Sequence, residues 1–153
     1  MKHIIPFLLI TCTLQAQKDT LRQCPKNIVH YSAAFTAGSL DGSIEALSHH
    51  YEAFERTFHI KNDQFWNSAV SWKNKYQEGN PLKGEKFLGS TGIFVAATDG
   101  YHLLRCLHKA TSLSMILTFD GKRQSLKSYI KKAILLSVSY TAGKFIMYNL
   151  IIK

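Results

Sequence analysis

Cysteine and proline are both scarce in this chain, which has three of each among 153 residues. The cysteines Cys12, Cys24 and Cys106 are too few for the disulfide framework that holds small secreted domains together. No proline lies between Asn27 and Phe58, so nothing there forbids a long helix. The chain also lacks HExxH, CxxC and paired ExxH motifs, and therefore carries no sequence signature of a metal centre.

The N-terminus has the layout of a secretory signal. Lys2 and His3 precede an apolar run from Ile4 to Leu14, and a small residue, Ala16, follows. The run is too short to span a bilayer, so we predict a signal peptide over residues 1–16 and one helical domain over residues 17–153. The mature chain would then be exported to the periplasm or cell envelope. Acylation of Cys12 and a bridge between the other two cysteines remain open alternatives.

Acidic residues are few as well, since ten stand against nineteen lysines and arginines and leave a net charge of +9. This excess favours an anionic partner, such as an envelope component, a phosphorylated glycan or a membrane surface. Export argues against nucleic acid as that partner. The basic residues are spread along the chain, so an ordinary solvated surface is the alternative.

Apolar periodicity predicts a mainly α-helical fold, with three long helices in a bundle. The first should run from Asn27 to about Phe58, because apolar residues recur at steps of three and four throughout this stretch. Its first half is apolar nearly all round and should be the more buried. The stripe consists of Ala33, Ala37, Leu40, Ile44, Leu47, Tyr51, Phe54 and Phe58.

Residues 60–91 break the periodicity and predict a long Trp-containing connection, with one short helix across residues 68–76. Aromatic and basic side chains interleave there, a mixture that can stack on a sugar or lie at a lipid interface. They are our candidates for partner binding, although the rings could equally pack the loop onto the helices. The candidates are Trp66, Trp72, Lys73, Lys75 and Tyr76.

The second helix should begin near Thr91, with Ser90 or Thr91 as its cap, and continue to about Thr118, before a turn at residues 120–121. The third should cover residues 125–152. From residue 133 onward it is apolar on every side except at Lys144, which predicts either a central helix or a membrane segment. A membrane hairpin of the last two helices would carry several charges into the bilayer, so we favour a soluble or surface-attached protein.

Two Asp-Gly pairs, at residues 41–42 and 99–100, are followed by polar groups one turn later. Glycine inside a helix costs about 1 kcal/mol relative to alanine, and such local conflicts often mark function or close packing. The candidate catalytic residues are Asp41, Glu45, Asp99 and His102. Carboxylates and imidazoles from two helices could hold a metal ion, or serve without metal as an acid/base pair.

The alternative for each pair is a structural one. Asp41 and Glu45 lie opposite the apolar stripe, where a solvated face belongs. Asp99 and His102 share their side of the second helix with Val95 and therefore form a polar island on an apolar face. Buried, hydrogen-bonded structural groups are the default interpretation of such an island.

Three blocks of the sequence resemble a group of small exported bacterial proteins of uncharacterised function. The blocks are DGSIEALSHHYEAF, NDQFWNSAVSWKNKY and STGIFVAATDGYHLLR, and the resemblance covers residues 33–105. It implies export but no activity, fold or ligand.

The sequence thus predicts a non-enzymatic cell-envelope protein, binding or structural, with a basic surface and an aromatic loop. A small hydrolase-like enzyme centred on Asp99 and His102, with or without a metal ion, is the first alternative. A membrane-embedded helical hairpin is the second. No cofactor and no oligomeric state can be assigned.

Overall fold

The computed structural model describes residues 26–117 and 124–152. The predicted signal peptide, Cys12, Cys24 and the turn at residues 120–121 lie outside these ranges. Within them the chain is mainly helical, as predicted, and its only extended pairing is a single bridge between Tyr76 and Glu85.

The described residues form three long and three short α-helices. The α-helices are α1 (Lys26–His49), α2 (Tyr51–Phe58), α3 (Asp63–Trp66), α4 (Ser68–Ser71), α5 (Gly100–Leu117) and α6 (Leu126–Phe145). A π-helical segment, Ile146–Ile151, continues α6. Short 3-10 turns lie at Trp72–Lys75, Gln77–Gly79, Pro81–Lys83 and Val95–Ala97.

The first predicted helix is two helices, because the backbone leaves helical geometry at His50, with φ −136° and ψ 49°. Periodicity resumes after this one-residue break, so the stripe alone could not reveal it. The break redirects α2 and places Phe54 in the core. A left-handed residue, His59, ends α2.

The helix α1 is the centre of the fold, because α5 and α6 both pack against it and contact each other far less. Gly38 faces Tyr140 and Gly42 faces Lys144, so α1 and α6 run parallel. The finer prediction of a three-helix bundle is not confirmed by these contacts.

The core is small and lies at one end of the long helices. Ala46, Leu47, Phe54 and Ile152 are buried together there. Partly buried neighbours complete the cluster: Tyr51, Ala53, Ile60, Trp66, Tyr101, Leu104, Met147 and Tyr148. The C-terminus of α1, the N-terminus of α5 and the end of the π-helical segment therefore meet the connection between α2 and α5.

The prediction that the first half of α1 is the more buried is wrong. Ile28, Val29 and Phe35 are exposed, whereas Ala34 and Ala37 are buried. The small side chains admit the neighbouring helices closely, and the large ones are left on the outside.

The helix α6 and its π-helical continuation expose their apolar side chains. Among the described residues this is the one helix long and apolar enough to cross a membrane, and only 6% of its most apolar window is buried. A central, buried position for this helix is therefore wrong. Its exposed side chains include Leu126, Ile130, Ile134, Val138, Phe145 and Leu150.

The connection between α2 and α5, residues 59–99, is folded from short helical pieces. Asparagine side chains cap three of them: Asn62 accepts from the Phe65 amide, Asn67 from Ala69 and Asn80 from Leu82. The predicted short helix over residues 68–76 corresponds to α4 and the 3-10 turn that follows it.

The second long helix, α5, begins at Gly100 rather than near Thr91. Ser90 does not cap a helix, because it is buried and its hydroxyl donates to the Lys75 carbonyl at 2.7 Å. Thr91 hydrogen-bonds Glu85 instead. The residues between them and Gly100 form turns, which leave Ile93 exposed rather than on a packed helix face.

Candidate functional site

The first Asp-Gly pair lies inside α1, where Asp41 and Glu45 both contact Lys144 of α6. Lys144 Nζ is 3.0 Å from Asp41 Oδ2 and 2.6 Å from Glu45 Oε2. The two acids are one helical turn apart, so both reach the same ammonium group. The lysine that interrupts the apolar stretch from residue 133 onward is thus paired with two carboxylates, and a merely solvated role for these acids is wrong.

Two more polar side chains join these three. Tyr140, one turn before Lys144, lies close to Asp41. Its hydroxyl also lies 3.4 Å from Nε2 of His108 on α5. We call these five residues the Lys144 cluster, and it links all three long helices.

Glycines allow α1 and α6 to approach closely enough for these contacts. A Cβ on Gly38 would lie 1.9 Å from the Tyr140 carbonyl oxygen, and one on Gly143 would lie 2.1 Å from that of Phe35. Gly42, in the first Asp-Gly pair, would place a Cβ 2.8 Å from the Lys144 carbonyl oxygen. The glycine of this pair therefore serves helix–helix packing, in the small-xxx-small pattern of closely packed helices.

The second Asp-Gly pair has a different structural role, because Asp99 precedes α5 and caps it. Asp99 Oδ1 accepts from the His102 amide at 2.8 Å, and the Asp99 carbonyl accepts from the Leu103 amide at 3.1 Å. These are the hydrogen bonds of an N-cap residue. The acid therefore starts a helix and does not interrupt one.

The glycine of the second pair provides space for a tryptophan. A Cβ on Gly100 would lie 2.2 Å from Cε3 of Trp66. The Trp66 ring also packs against Phe54, with 6.0 Å between ring centroids, and against Phe65, with 5.2 Å. The first turn of α5 thus packs closely against the core.

His102 completes this second site. Its Nδ1 lies 2.8 Å from both carboxylate oxygens of Asp99. Asp99 is 1% exposed, and the Thr98 hydroxyl donates to its Oδ2 at 3.1 Å. A carboxylate only accepts, so Nδ1 carries the proton. In the neutral imidazole the lone pair then lies on Nε2, and this side chain keeps 30% of its surface in solvent. Such an imidazole can accept a proton from a bound molecule.

The four predicted catalytic residues form two separate pairs. Asp99 contacts His102, and Asp41 and Glu45 contact Lys144; within residues 26–117 and 124–152 no hydrogen bond or ion pair joins the two sets. The described residues contain no group of three or more His, Cys, Asp or Glu side chains arranged to hold a metal ion. Cys106, one turn after His102, is exposed and has no disulfide partner among the described residues.

The five predicted partner-binding residues divide between the core and the surface. Trp66 belongs to the core cluster, whereas Trp72 is exposed and stacks edge-on with Tyr76 at 6.3 Å. Lys73 Nζ lies 5.8 Å from the Trp72 ring and Lys75 Nζ lies 5.6 Å from that of Tyr76. These four side chains form an aromatic–lysine patch with the geometry of cation–π pairing; Trp72 and Lys73 are exposed, and Lys75 and Tyr76 are half-buried.

A groove of about 560 Å³ runs between α5 and α6, with α1 as its floor. The sequence carries no signal for this groove, because the groove follows from the way the two helices flank α1. Tyr140 of the Lys144 cluster lines the groove. The other lining residues are His30, Ala34, Ser112, Met115, Ile116, Leu136, Ser137 and Thr141.

Comparison of the chain with family models, curated proteins and solved structures finds no match. The resemblance of its three blocks to small exported bacterial proteins therefore stays a prediction, and function has to be argued from the geometry.

Proposed function

We propose that this chain is a membrane-embedded helical protein of the cell envelope, with a structural or binding role, in which α6 and its π-helical continuation cross the bilayer. The observation that carries the proposal is that the apolar helix Leu126–Ile151 is only 6% buried in its most apolar window. Its 26 residues would extend about 39 Å, enough for a hydrocarbon core of about 30 Å.

The free energy of burial supports this proposal. A large apolar side chain left in water forgoes about 1.5–3 kcal/mol of transfer free energy. Many such side chains lie outside on the long helices, beyond those already named on α6. They include Leu107, Leu113 and Ile116 on α5 and Ile28, Val29 and Phe35 on α1. The small core of the described residues leaves these side chains outside. A bilayer would cover them.

The Lys144 cluster removes one objection to a membrane position, namely the lysine within the span. Charged residues in transmembrane helices face other helices and pair with one another. Lys144 does so with Asp41 and Glu45. Close packing at Gly38 and Gly143 is the other feature expected of helices that associate in lipid, where small residues replace the hydrophobic driving force.

Export of the chain and its anionic or glycan partner are part of the same proposal. The aromatic–lysine patch supports the partner, because Trp72 and Tyr76 are held in place while Lys73 and Lys75 add positive charge beside the rings. Trp72→Ala should weaken capture of an anionic glycan and leave helicity unchanged.

Expression without detergent, followed by vesicle flotation and alkaline extraction, tests the membrane position. The wild-type chain should float with vesicles and resist extraction. Val138→Asp, in the middle of the span, should lower insertion, because an acidic residue at a helix centre costs about 2.5–3.5 kcal/mol. Ser125→Asp is the matched control, since aspartate also caps helices well. A soluble, monomeric wild-type chain would refute the proposal.

Acid/base catalysis is the second candidate, favoured by the 2.8 Å contacts between His102 Nδ1 and Asp99. A hydrolase-like activity would require Nε2 to take a proton from water or a hydroxyl nucleophile. Activated carboxylic and phosphate esters are suitable substrates for a screen. Any hydrolysis should disappear in both His102→Gln and Asp99→Asn; hydrolysis that survives both changes excludes this pair as its source.

A further inference from the structure

An apolar turn projects from the connection between α2 and α5. Leu88 and Ile93 are each 89% exposed, and Phe87 and Phe94 are exposed as well. We call residues 87–94 the apolar turn. Four large apolar side chains within eight residues are an unusual surface for a turn, which ordinarily carries polar residues.

Internal hydrogen bonds hold this turn in shape. The Gly89 carbonyl accepts from the Gly92 amide at 3.1 Å and from the Phe94 amide at 2.9 Å, which brings the two ends of the turn together. Ser90 is fully buried and is bonded to the Lys75 carbonyl. Exposure of Leu88 and Ile93 is thus a property of an anchored turn.

Glu85, which precedes the turn, stabilises it with two hydrogen bonds. Its carboxylate accepts from the Thr91 hydroxyl and, at 2.9 Å, from the Gly89 amide. The hydrogen bond from Thr91, with a smaller contribution from the Gly89 amide, holds the pKa of Glu85 below its ordinary value. The carboxylate therefore stays ionised at neutral pH and keeps both donors.

A chain of contacts ties the turn to the end of the proposed membrane span. The Lys75 carbonyl accepts from the Ser90 hydroxyl. The side chain of the neighbouring Asn74 donates to the carbonyl of Thr98, just before the cap of α5. The first turn of α5 packs on Trp66. Trp66 in turn packs against the cluster that contains Ile152, directly after the span. The turn therefore lies at the end of the molecule where Leu126–Ile151 would leave the bilayer.

Lysines lie beside the turn. Lys86 is exposed immediately before it, and its amide donates to the Lys75 carbonyl at 2.9 Å. Lys73 and Lys75 belong to the neighbouring aromatic–lysine patch. Apolar side chains flanked by lysines match the surface of an anionic bilayer, in which acyl chains lie beneath negatively charged headgroups.

We propose that the apolar turn inserts into the interface of the bilayer that α6 spans, with Leu88 and Ile93 among the upper acyl segments and Lys86 at anionic headgroups. This inference rests on the proposed membrane position of α6. The turn would fix how deeply the protein sits and how it rotates about α6, because it is a second, rigid point of contact with the same membrane.

Site-specific labelling in vesicles tests the insertion. The full chain, with Cys12, Cys24 and Cys106 replaced by serine, carries an environment-sensitive fluorophore at Leu88→Cys or, as a polar control on the adjacent loop, at Glu78→Cys. Vesicles contain phosphatidylcholine and phosphatidylglycerol, with or without shallow nitroxide lipids. The label at position 88 should be blue-shifted and quenched by the nitroxide lipids, whereas iodide in the aqueous phase should quench the label at position 78.

Two further variants sharpen the result. Ile93→Asp should lower the lipid-inserted fraction of the label at position 88 by about tenfold, because an apolar anchor is replaced by a charge. Lys86→Gln should reduce the advantage of anionic over neutral vesicles by about fivefold, and Lys61→Gln, elsewhere on the connection, should not. Circular dichroism of each variant verifies that its helices are intact.

The outcomes separate this inference from the membrane proposal. A chain that resists alkaline extraction but whose label at position 88 is quenched by iodide would refute insertion of the turn alone. A label shielded from iodide but insensitive to nitroxide lipids would show protein contact and refute it too. Release of the whole chain by alkali would instead refute the membrane position of α6.

Discussion

The two Asp-Gly pairs look alike in the sequence and differ in structure. Asp41 and Gly42 lie in the middle of α1, where the acid pairs with Lys144 and the glycine admits α6. Asp99 and Gly100 lie at the beginning of α5, where the acid caps the helix and the glycine accommodates Trp66. The first pair therefore depends on a residue about a hundred positions away, and the cap at the second depends on its own next turn.

Helical phase alone suggests that the second Asp-Gly pair is the more unusual of the two. The structure shows the opposite. Phase alone makes Asp41 and Glu45 members of a solvated face and makes Asp99 and His102 a polar island within a helix. A cap explains Asp99 without function, although the partly exposed imidazole of His102 keeps chemistry available there. A lysine on another helix gives Asp41 and Glu45 the more unusual role.

The largest effect should come from the glycines near the first pair. Gly143→Leu forces a side chain against the backbone of α1, so α1 and α6 must separate. We expect a loss of about 3 kcal/mol or more in the free energy of unfolding, measured by circular dichroism in detergent. Gly92→Ala is the control, because nothing lies within 4 Å of its added Cβ. Equal stability of both variants would contradict the close packing.

A smaller effect should mark the tryptophan that covers Gly100. Trp66→Ala removes a ring from the core cluster and should cost about 2–3 kcal/mol, whereas the exposed Trp72→Ala should cost less than about 1 kcal/mol. Unfolding followed by circular dichroism in detergent, as for the glycine variants, compares them. If Trp72→Ala is the more destabilising, the assignment of the two rings to core and surface is wrong.

The ion pairs of the first Asp-Gly pair should contribute less again. Lys144→Met leaves two carboxylates without their cation, and because the groups are partly exposed we expect a cost of about 1–2 kcal/mol. Lys127→Met, at an exposed position on α6, is the control. A double-mutant cycle with Asp41→Asn should give a coupling of about 1 kcal/mol. Zero coupling would mean that the contact is incidental.

The cap at the second pair should give the smallest effect. Asp99→Ala should lower stability by about 1 kcal/mol, and Asp99→Asn should be nearly neutral, because asparagine retains the acceptor oxygen. Hydrogen exchange in the first turn of α5 is the most direct measurement. Equal losses from both substitutions would show that the charge of Asp99, rather than its cap bond, stabilises this end of α5.

Much of the helical content could be predicted from the sequence, because it depends on periodicity within one segment. The break at His50 and the start of α5 at Gly100 could not. The first is a one-residue departure that leaves the apolar stripe in place. For the second, an Asp-Gly pair after apolar residues reads equally as a flaw in a helix or as its beginning, and only the Asp99–His102 hydrogen bond distinguishes the two.

The residues of the candidate sites could be picked out from the sequence, but the contacts between them could not. Lys144 stood out as the one charge in the apolar stretch from residue 133 onward, but its partners lie on α1. The spacing of Gly38 and Gly42 was the available signal for close helix packing. The apolar turn was hidden, because a Leu or Ile in a loop does not reveal its exposure until the hydrogen bonds around Ser90 are known.

One measurement tests the membrane position of α6 most directly. Val138 is 60% exposed near the middle of Leu126–Ile151. A nitroxide at Val138→Cys, in the chain reconstituted into vesicles and otherwise free of cysteine, reports collisions with oxygen, which concentrates in lipid, and with a nickel chelate, which stays in water. Membrane insertion predicts strong relaxation by oxygen and almost none by nickel. Strong relaxation by nickel would contradict it.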